Sequence, residues 1–420
     1  MSTDPDATAS TSTFAGSVER FLNSDHHEQP SSELVDKMLE ELRTLRDTSS
    51  QESVRARLTR EKIDIWAAVS LLETLLVTSS TIDGKGSTKL SASAALLCHR
   101  AVQFLSNVTV KNPDGTTLVW SRLPIALWNQ LAQCSTTDVD AKKYTDGVSI
   151  NVWMLLLNCC EVHAPDIAEN SSQYLGLVRL LFSSAAALPY VSESDRLWPT
   201  FCMEKLLGTP QFLASYWDLL PLASLLYLLE TAARLDAAKM QLLSDFANSG
   251  NLEFLLEKLK AQAASCDEWQ TDGGLTAVMV KVAMTVSGVD RCACIVPSLR
   301  SDEALFANLV ACLRRMVHAR KSSTSFSVAN SEFQRDLVAL LANVSYKNER
   351  MQQLATELEL VPLVLDCTVR SQEAPAAELF TTEWAVWALR NLCRDSPGNQ
   401  AYVRGMEKVI GETSNENSQR

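Results

Sequence analysis

The side chains able to do chemistry in this 420-residue chain are chiefly its eleven cysteines and five histidines. Cys159, Cys160 and His163 stand close together in "NCCEVH" and could offer thiolate and imidazole to a zinc ion, which takes four such ligands in a tetrahedron. Neighbouring positions on a helix diverge by about 100°, however, so the two adjacent thiols do not readily meet one ion. Cys292 and Cys294 have no histidine near them in sequence and read as buried thiols. "IDGKGSTK" carries Gly84-Lys85 but lacks the Gly-Lys-Ser/Thr ending of a phosphate-cradling loop, so it reads as a plain connection. The histidines form neither a triad-like nor a zincin pattern. No cofactor, metal or catalytic set is expected, and the chain reads as a non-enzyme.

Residues suited to binding are easier to find. "RRMVHARK" brings Arg314, Arg315, Arg320 and Lys321 into one basic stretch of an acidic chain. Such a stretch either complements the negative end of its helix or docks an acidic or phosphorylated partner. Near the C-terminus, "EWAVWALRNLC" collects Trp384, Trp387, Arg390 and Asn391, residue types enriched at interfaces. Trp387 through Asn391 resembles the W-x-x-x-N spacing of importin-α armadillo repeats, where Trp packs on an extended peptide and Asn bonds its backbone. The positions four before the other comparable asparagines are Gln103, Met154 and Ala339, so no ladder of tryptophans forms. A peptide-groove cargo adaptor is therefore kept as the alternative reading.

Helices must position these residues. "LSNVTVKN" at 105–112 is nearly repeated as "LANVSYKN" at 341–348. In the first copy Ala101, Phe104, Leu105 and Val108 form one apolar stripe; in the second Leu337, Leu340, Leu341 and Val344 do so. The same register surrounds Asn391, with Ala385, Ala388, Leu389 and Leu392, and Asn158, with Val152, Leu155, Leu156 and Cys159. The asparagines are 51 residues apart from 107 to 158 and 48 apart from 343 to 391. Those intervals sit at the upper end of the armadillo and HEAT period of about 40–47 residues. Between about 165 and 300 the register is lost, and Asn308 falls outside it. Asn107, Asn343 and Asn391 are expected to bond loop backbone of a neighbouring unit.

Composition agrees with a helical array. Hydrophobic residues make up 46% of the chain, Gly and Pro number only 14 and 13, and no clear period-2 run argues for strands. The expected fold is an all-α armadillo/HEAT-like solenoid, a right-handed superhelix of stacked repeats. Residues 1–30 are expected to be disordered, 31–330 to hold N-terminal and central repeats, 331–411 the C-terminal repeats, and 412–420 a tail. Helices are expected near 33–46, 63–78, 91–108, 118–133, 149–161, 170–187, 211–234, 236–248, 251–264, 302–320, 331–346, 379–394 and 398–407. A net charge of −12 speaks against nucleic acid or an anionic membrane as partner. The N-terminus has no apolar secretory core and no apolar run is long enough to span a bilayer, so cytoplasmic residence is expected. The glycosylation patterns at Asn107 and Asn343 accordingly read as repeat residues.

One segment carries a more specific pattern. From 333 to 407, "NVSYKN", "VPLVLD", "EWAVWALRNL" and "GNQ" follow in order, with Gln352 and Gln400 each nine residues after an Asn. This succession, at Asn343, Tyr346, Lys347, Asn348, Pro362, Asp366, Glu383, Trp384, Arg390, Asn391, Asn399 and Gln400, resembles the C-terminal domain of the ataxin-10 family. The connecting "TVRSQEAPAAELFTT" departs from the Asn- and Asp-rich loop of that family. The resemblance implies an armadillo-like scaffold in the cytoplasm, binding other proteins and linked to cytokinesis and, in animals, to neuronal survival and neurite outgrowth. The C-terminal end, about 379–407, is expected to mediate partner docking or self-association.

Overall fold

The computed structural model describes residues 11–23, 32–78, 81–82, 88–132, 141–187, 193–234, 240–264, 274–288, 297–322, 328–368 and 376–405. The chain divides into two compact units, Met1–Leu206 and Leu207–Arg420. In the first lie α1 (Thr11–Leu22), α2 (Ser32–Ser49), α3 (Glu52–Glu61), α4 (Ile63–Thr78), α5 (Ala92–Thr109), α6 (Pro113–Arg122), α7 (Ile125–Ala132), α8 (Lys142–Glu169) and α9 (Ser171–Ala187). Helix α10 (Glu193–Leu207) closes it. A two-residue antiparallel pairing, Thr81–Ile82 with Thr88–Lys89, interrupts the helices once.

The second unit runs α11 (Phe212–Tyr216), α12 (Leu222–Ala233), α13 (Met240–Asn248), α14 (Asn251–Ala264), α15 (Leu275–Ser287), α16 (Pro297–Ser301) and α17 (Glu303–Ser322). It ends with α18 (Val328–Ser345), α19 (Glu349–Glu357), α20 (Leu360–Thr368), α21 (Ala376–Cys393) and helical residues 397–405.

The helices come in triplets whose third member is built on the apolar stripes read from the sequence. Those third helices stack on one another: α2, α5 and α8 in the first unit, and α12, α15, α18 and α21 in the second. Phe104, Leu105, Leu155, Leu340, Leu341 and Leu392 are fully buried in these layers, each contributing about 1.5–3 kcal/mol. Ala385 and Ala388, also buried, keep the α18–α21 interface free of bulk. Every stripe position named above is buried except Leu389, which is half-buried.

The joints also repeat. Lys111 (φ 49°), Lys347 (φ 49°) and Asp395 (φ 58°) turn the chain from a third helix into the next first helix through the left-handed region. Lys62 (φ 63°) and Glu359 (φ 55°) do the same between first and second helices. After two of those turns an asparagine caps the new helix: Asn112 Oδ1 accepts from the Gly115 amide at 3.3 Å, and Asn348 Oδ1 from Met351 at 3.4 Å. Each also donates to the closing helix, at Val108 O (2.9 Å) and Val344 O (3.2 Å). The "VKN" and "YKN" endings of the repeated phrase are thus a left-handed turn plus a cap.

Several expectations are corrected. Residues 11–22 are helical rather than disordered, because Phe14 and Val18 are buried on α1, which packs against α2 and α4. The single helix expected over 118–133 is two, broken at Leu123–Pro124, and the one over 211–234 is likewise split before Pro221. Proline lacks the N–H that would continue the ladder. Helices at 52–61, 193–207, 275–287, 349–357 and 360–368 lay outside the expected set. The 412–420 tail, Gly84-Lys85, Cys292 and Cys294 lie outside the described residues.

Candidate functional site

The asparagines of the repeated phrase stitch one layer to the next. Asn107 on α5 donates to Arg46 O on α2 at 3.1 Å. Asn158 on α8 donates to Ser106 O (3.2 Å) and Thr109 Oγ1 (3.0 Å) on α5. Asn391 on α21 reaches Ala342 O on α18 at 3.0 Å, and Asn343 on α18 reaches Ser287 Oγ on α15 at 3.2 Å. The acceptors lie in the last turn of the preceding third helix rather than in a loop, since carbonyls there have no intrahelical donor, and the partner of Asn343 is a hydroxyl rather than backbone. In the stretch where the Asn register fails, Thr285 on α15 fills the place, donating to Ala233 O at 3.2 Å. Asn308 belongs to a second helix, α17, and bonds Lys260 O on α14 at 3.5 Å.

The C-terminal repeats are further interlocked by Gln352 and by Asn399 and Gln400 of the "GNQ" pattern. Gln352 donates to Asn391 O (2.8 Å) and Arg394 O (2.9 Å), while Asn399 donates to Gln352 O (3.1 Å) and Leu392 O (2.8 Å). Gln400 reaches Cys393 O at 2.8 Å.

Much of the basic stretch is spent inside the chain. On α17, Arg314 donates to Leu358 O at 2.7 Å, Arg320 to Asp366 O, and Lys321 to the Asp366 carboxylate at 2.7 Å. These cations close the ends of α19 and α20, where the helix dipole favours positive charge. Arg315 on the same helix is exposed and also interacts within the chain.

Trp384, Trp387, Arg390, Asn391 and Asn343, singled out from sequence, all line a single cleft of about 520 Å³. Its walls come from the third-helix layers α15, α18 and α21, with Arg300 on α16 and Arg394 just past α21. Trp387 is 54% exposed and Trp384 half-buried, so neither is a plain core residue. The Arg390 guanidinium lies 5.0 Å from the Trp387 ring, and that of Arg394 lies 5.4 Å from the Tyr346 ring. Arg394 also donates to Tyr346 Oη at 3.3 Å, and Arg300 donates to Tyr346 O. The two asparagines face the cleft while their amides hold the layers together. Sequence reasoning missed Arg300, Tyr346 as a cleft wall, and Arg394. Their separation along the chain hid them, although Tyr346 and Arg394 each follow a ladder Asn by three residues.

The cysteine cluster offers no reactive thiol. Cys159 and Cys160 are buried on α8, and burial pushes the Cys159 thiol well above its ordinary value. Cys202, whose thiol lies 3.7 Å from Trp153 O, is raised by burial in the same way. His163 pairs with Asp166 at 2.9 Å and stacks on Trp120, with ring centroids 5.3 Å apart. Among the described residues no group of three or more His, Cys, Asp or Glu side chains could hold a metal ion.

Residues 333–418 match the family described as the spinocerebellar ataxia type 10 protein domain. Human ataxin-10 is 38% identical over 82 residues, 20% of this chain and 16% of the human protein. Bovine ataxin-10 is 34% identical over 88 residues, covering 21% and 18%. The ataxin-10 homolog of Dictyostelium discoideum is 33% identical over 84 residues, covering 20% and 13%. The match thus spans less than a fifth of each relative's length. A designed armadillo repeat protein in complex with the peptide (KR)4 aligns with 89% of this chain and 98% of its own, at 12% identity and a TM-score of 0.24. At that score the repeat fold rests on this chain's own stacked triplets.

Proposed function

We propose that this chain, whose C-terminal segment belongs to the ataxin-10 family, is a non-enzymatic protein-interaction scaffold with its docking end at about residues 379–407. The observation that carries the reading is the division of labour on α21. One side, with Ala385, Ala388 and Leu392, is buried against α18 and pinned by the Asn391 bond to Ala342 O. The other presents an open Trp387 with Arg390 over its ring, beside exposed Phe380 and Val386. Large exposed apolar side chains grouped on one helix mark an interaction surface. Trp and Arg are also the side chains whose loss most often costs about 2 kcal/mol or more at interfaces. The occupant is another protein or a second copy of this chain. The family likeness supports a cytoplasmic setting and a part in cytokinesis. Among the described residues no helix is long and apolar enough to cross a membrane.

The alternative, a peptide-groove cargo adaptor of the importin-α kind, is opposed by the lack of a tryptophan ladder, since Gln103, Met154 and Ala339 stand four before the other asparagines. The test combines Trp387→Ala with Arg390→Ala in the full-length chain, measuring native mass by light scattering and the partners recovered from native extract. Folding should persist with loss of mass or of a partner. A folded double variant with the parent's mass and every partner would place docking elsewhere.

A further inference from the structure

The scaffold reading leaves open what chemistry the cleft on α21 selects, and the charges lining it decide this. Around its roughly 520 Å³ stand the guanidinium groups of Arg300, Arg390 and Arg394. Arg300 is anchored on Tyr346 O, and Arg394 is held by Tyr346 Oη and, at 3.8 Å, by Asp395. Among the described residues the Arg390 guanidinium has no ion-pair or hydrogen-bond partner. It stands 5.0 Å from the centre of the Trp387 ring on an exposed residue and carries five N–H donors. Glu383 is the counter-charge on the wall, which leaves the lining positive in a chain of net charge −12. The indole rings of Trp384 and Trp387 add apolar surface next to these donors.

Resting on the docking reading above, we infer that this cleft receives an extended peptide segment with acidic side chains at alternate positions. A carboxylate of the segment takes the planar fork of Arg390 in a bidentate pair, the geometry that guanidinium matches best. The next side chain on the same face of an extended strand lies about 6–7 Å further on. Arg394, four residues after Arg390 and just past the end of α21, lies about 6 Å further on by the backbone rise and offers a guanidinium for a second carboxylate. The intervening side chains point to the opposite face of the strand, and the Trp384 and Trp387 indoles pack against the carbon stems of the acidic residues. Electrostatics confine binding to this place, because an acidic peptide is repelled by the chain at large.

The test is fluorescence anisotropy of the full-length protein with a fluorescein-labelled peptide of alternating Glu and Leu, beside Gln–Leu and Lys–Leu peptides. The inference expects saturable binding of the Glu–Leu peptide alone, weakened about tenfold or more by Arg390→Glu and by Trp387→Ala. Arg390→Gln, which removes the charge without reversing it, should weaken binding in the same direction should Arg390→Glu misfold. Equal binding of the Gln–Leu or Lys–Leu peptide, or Glu–Leu binding indifferent to Arg390, overturns it. If the Glu–Leu peptide fails to bind while the Trp387→Ala, Arg390→Ala double variant still loses native partners, the acidic ligand is wrong and the docking end stands. If neither the peptide binds nor the double variant changes mass or partners, both readings fall.

Discussion

Asn391→Ala isolates the stitching of the last two layers. In the parent, Asn391 Nδ2 lies 3.0 Å from Ala342 O, and both groups are buried between α18 and α21. Truncation removes the donor from a buried carbonyl at the wall of the cleft, at a cost of about 1–3 kcal/mol. For a unit of this size a loss of about 2 kcal/mol lowers the melting midpoint by roughly 4–8 °C. Asn391→Asp should be at least as damaging at neutral pH, since a carboxylate offers only acceptors to the Ala342 carbonyl. Asn343→Ala, whose partner is the half-buried Ser287 Oγ at 3.2 Å, should cost less. Urea and thermal unfolding followed by circular dichroism read all three. An Asn391→Ala protein that melts with the parent yet no longer binds partners would refute the stitching role and make Asn391 a ligand contact.

Further outcomes follow from the same geometry. Lys111→Gly should raise stability by up to about 1 kcal/mol in urea unfolding, because φ 49° strains any residue with a Cβ. Trp387→Ala alone should leave the melting midpoint unchanged, since the ring is 54% exposed, and thermal unfolding checks it. Burial pushes the Asp302 carboxyl up, but the Lys260 ammonium at 2.8 Å and the Leu305 amide at 2.9 Å outweigh it and hold the group below its ordinary value. The depressed value means that its contribution is present above the unfolded value of about 4 and is lost as pH falls through the folded one. Asp302→Asn, which keeps a capping oxygen, should therefore flatten the fall of the urea midpoint below about pH 4. An unchanged slope would show that Asp302 makes no such contribution.

The third helices were legible because their apolar stripes face a neighbouring layer, and a stripe at helical period survives in sequence when one face is always buried. Leu337, Leu340, Leu341 and Val344 are read without any knowledge of what covers them. First and second helices were less legible for physical reasons. Helix α3, "ESVRARLTRE", buries little besides Leu58 and Thr59, and α19 ends at a left-handed Glu359 rather than at a glycine that would announce it. The loss of the Asn register at 285 was opaque because a threonine hydroxyl makes the same bond to Ala233 O. Of the candidate cleft, the α21 residues were visible as one helix face. Arg300 was not, because nothing local marks a side chain that closes a helix 46 residues later.

Hydrogen exchange of the full-length protein tests the division of labour on α21 most directly, comparing Asn391→Ala with the Trp387→Ala, Arg390→Ala double variant. Asn391→Ala is expected to speed exchange of amides in α21 and the last turn of α18, while the double variant keeps the parent's protection throughout. Faster exchange in the double variant with parental protection in Asn391→Ala would contradict the account.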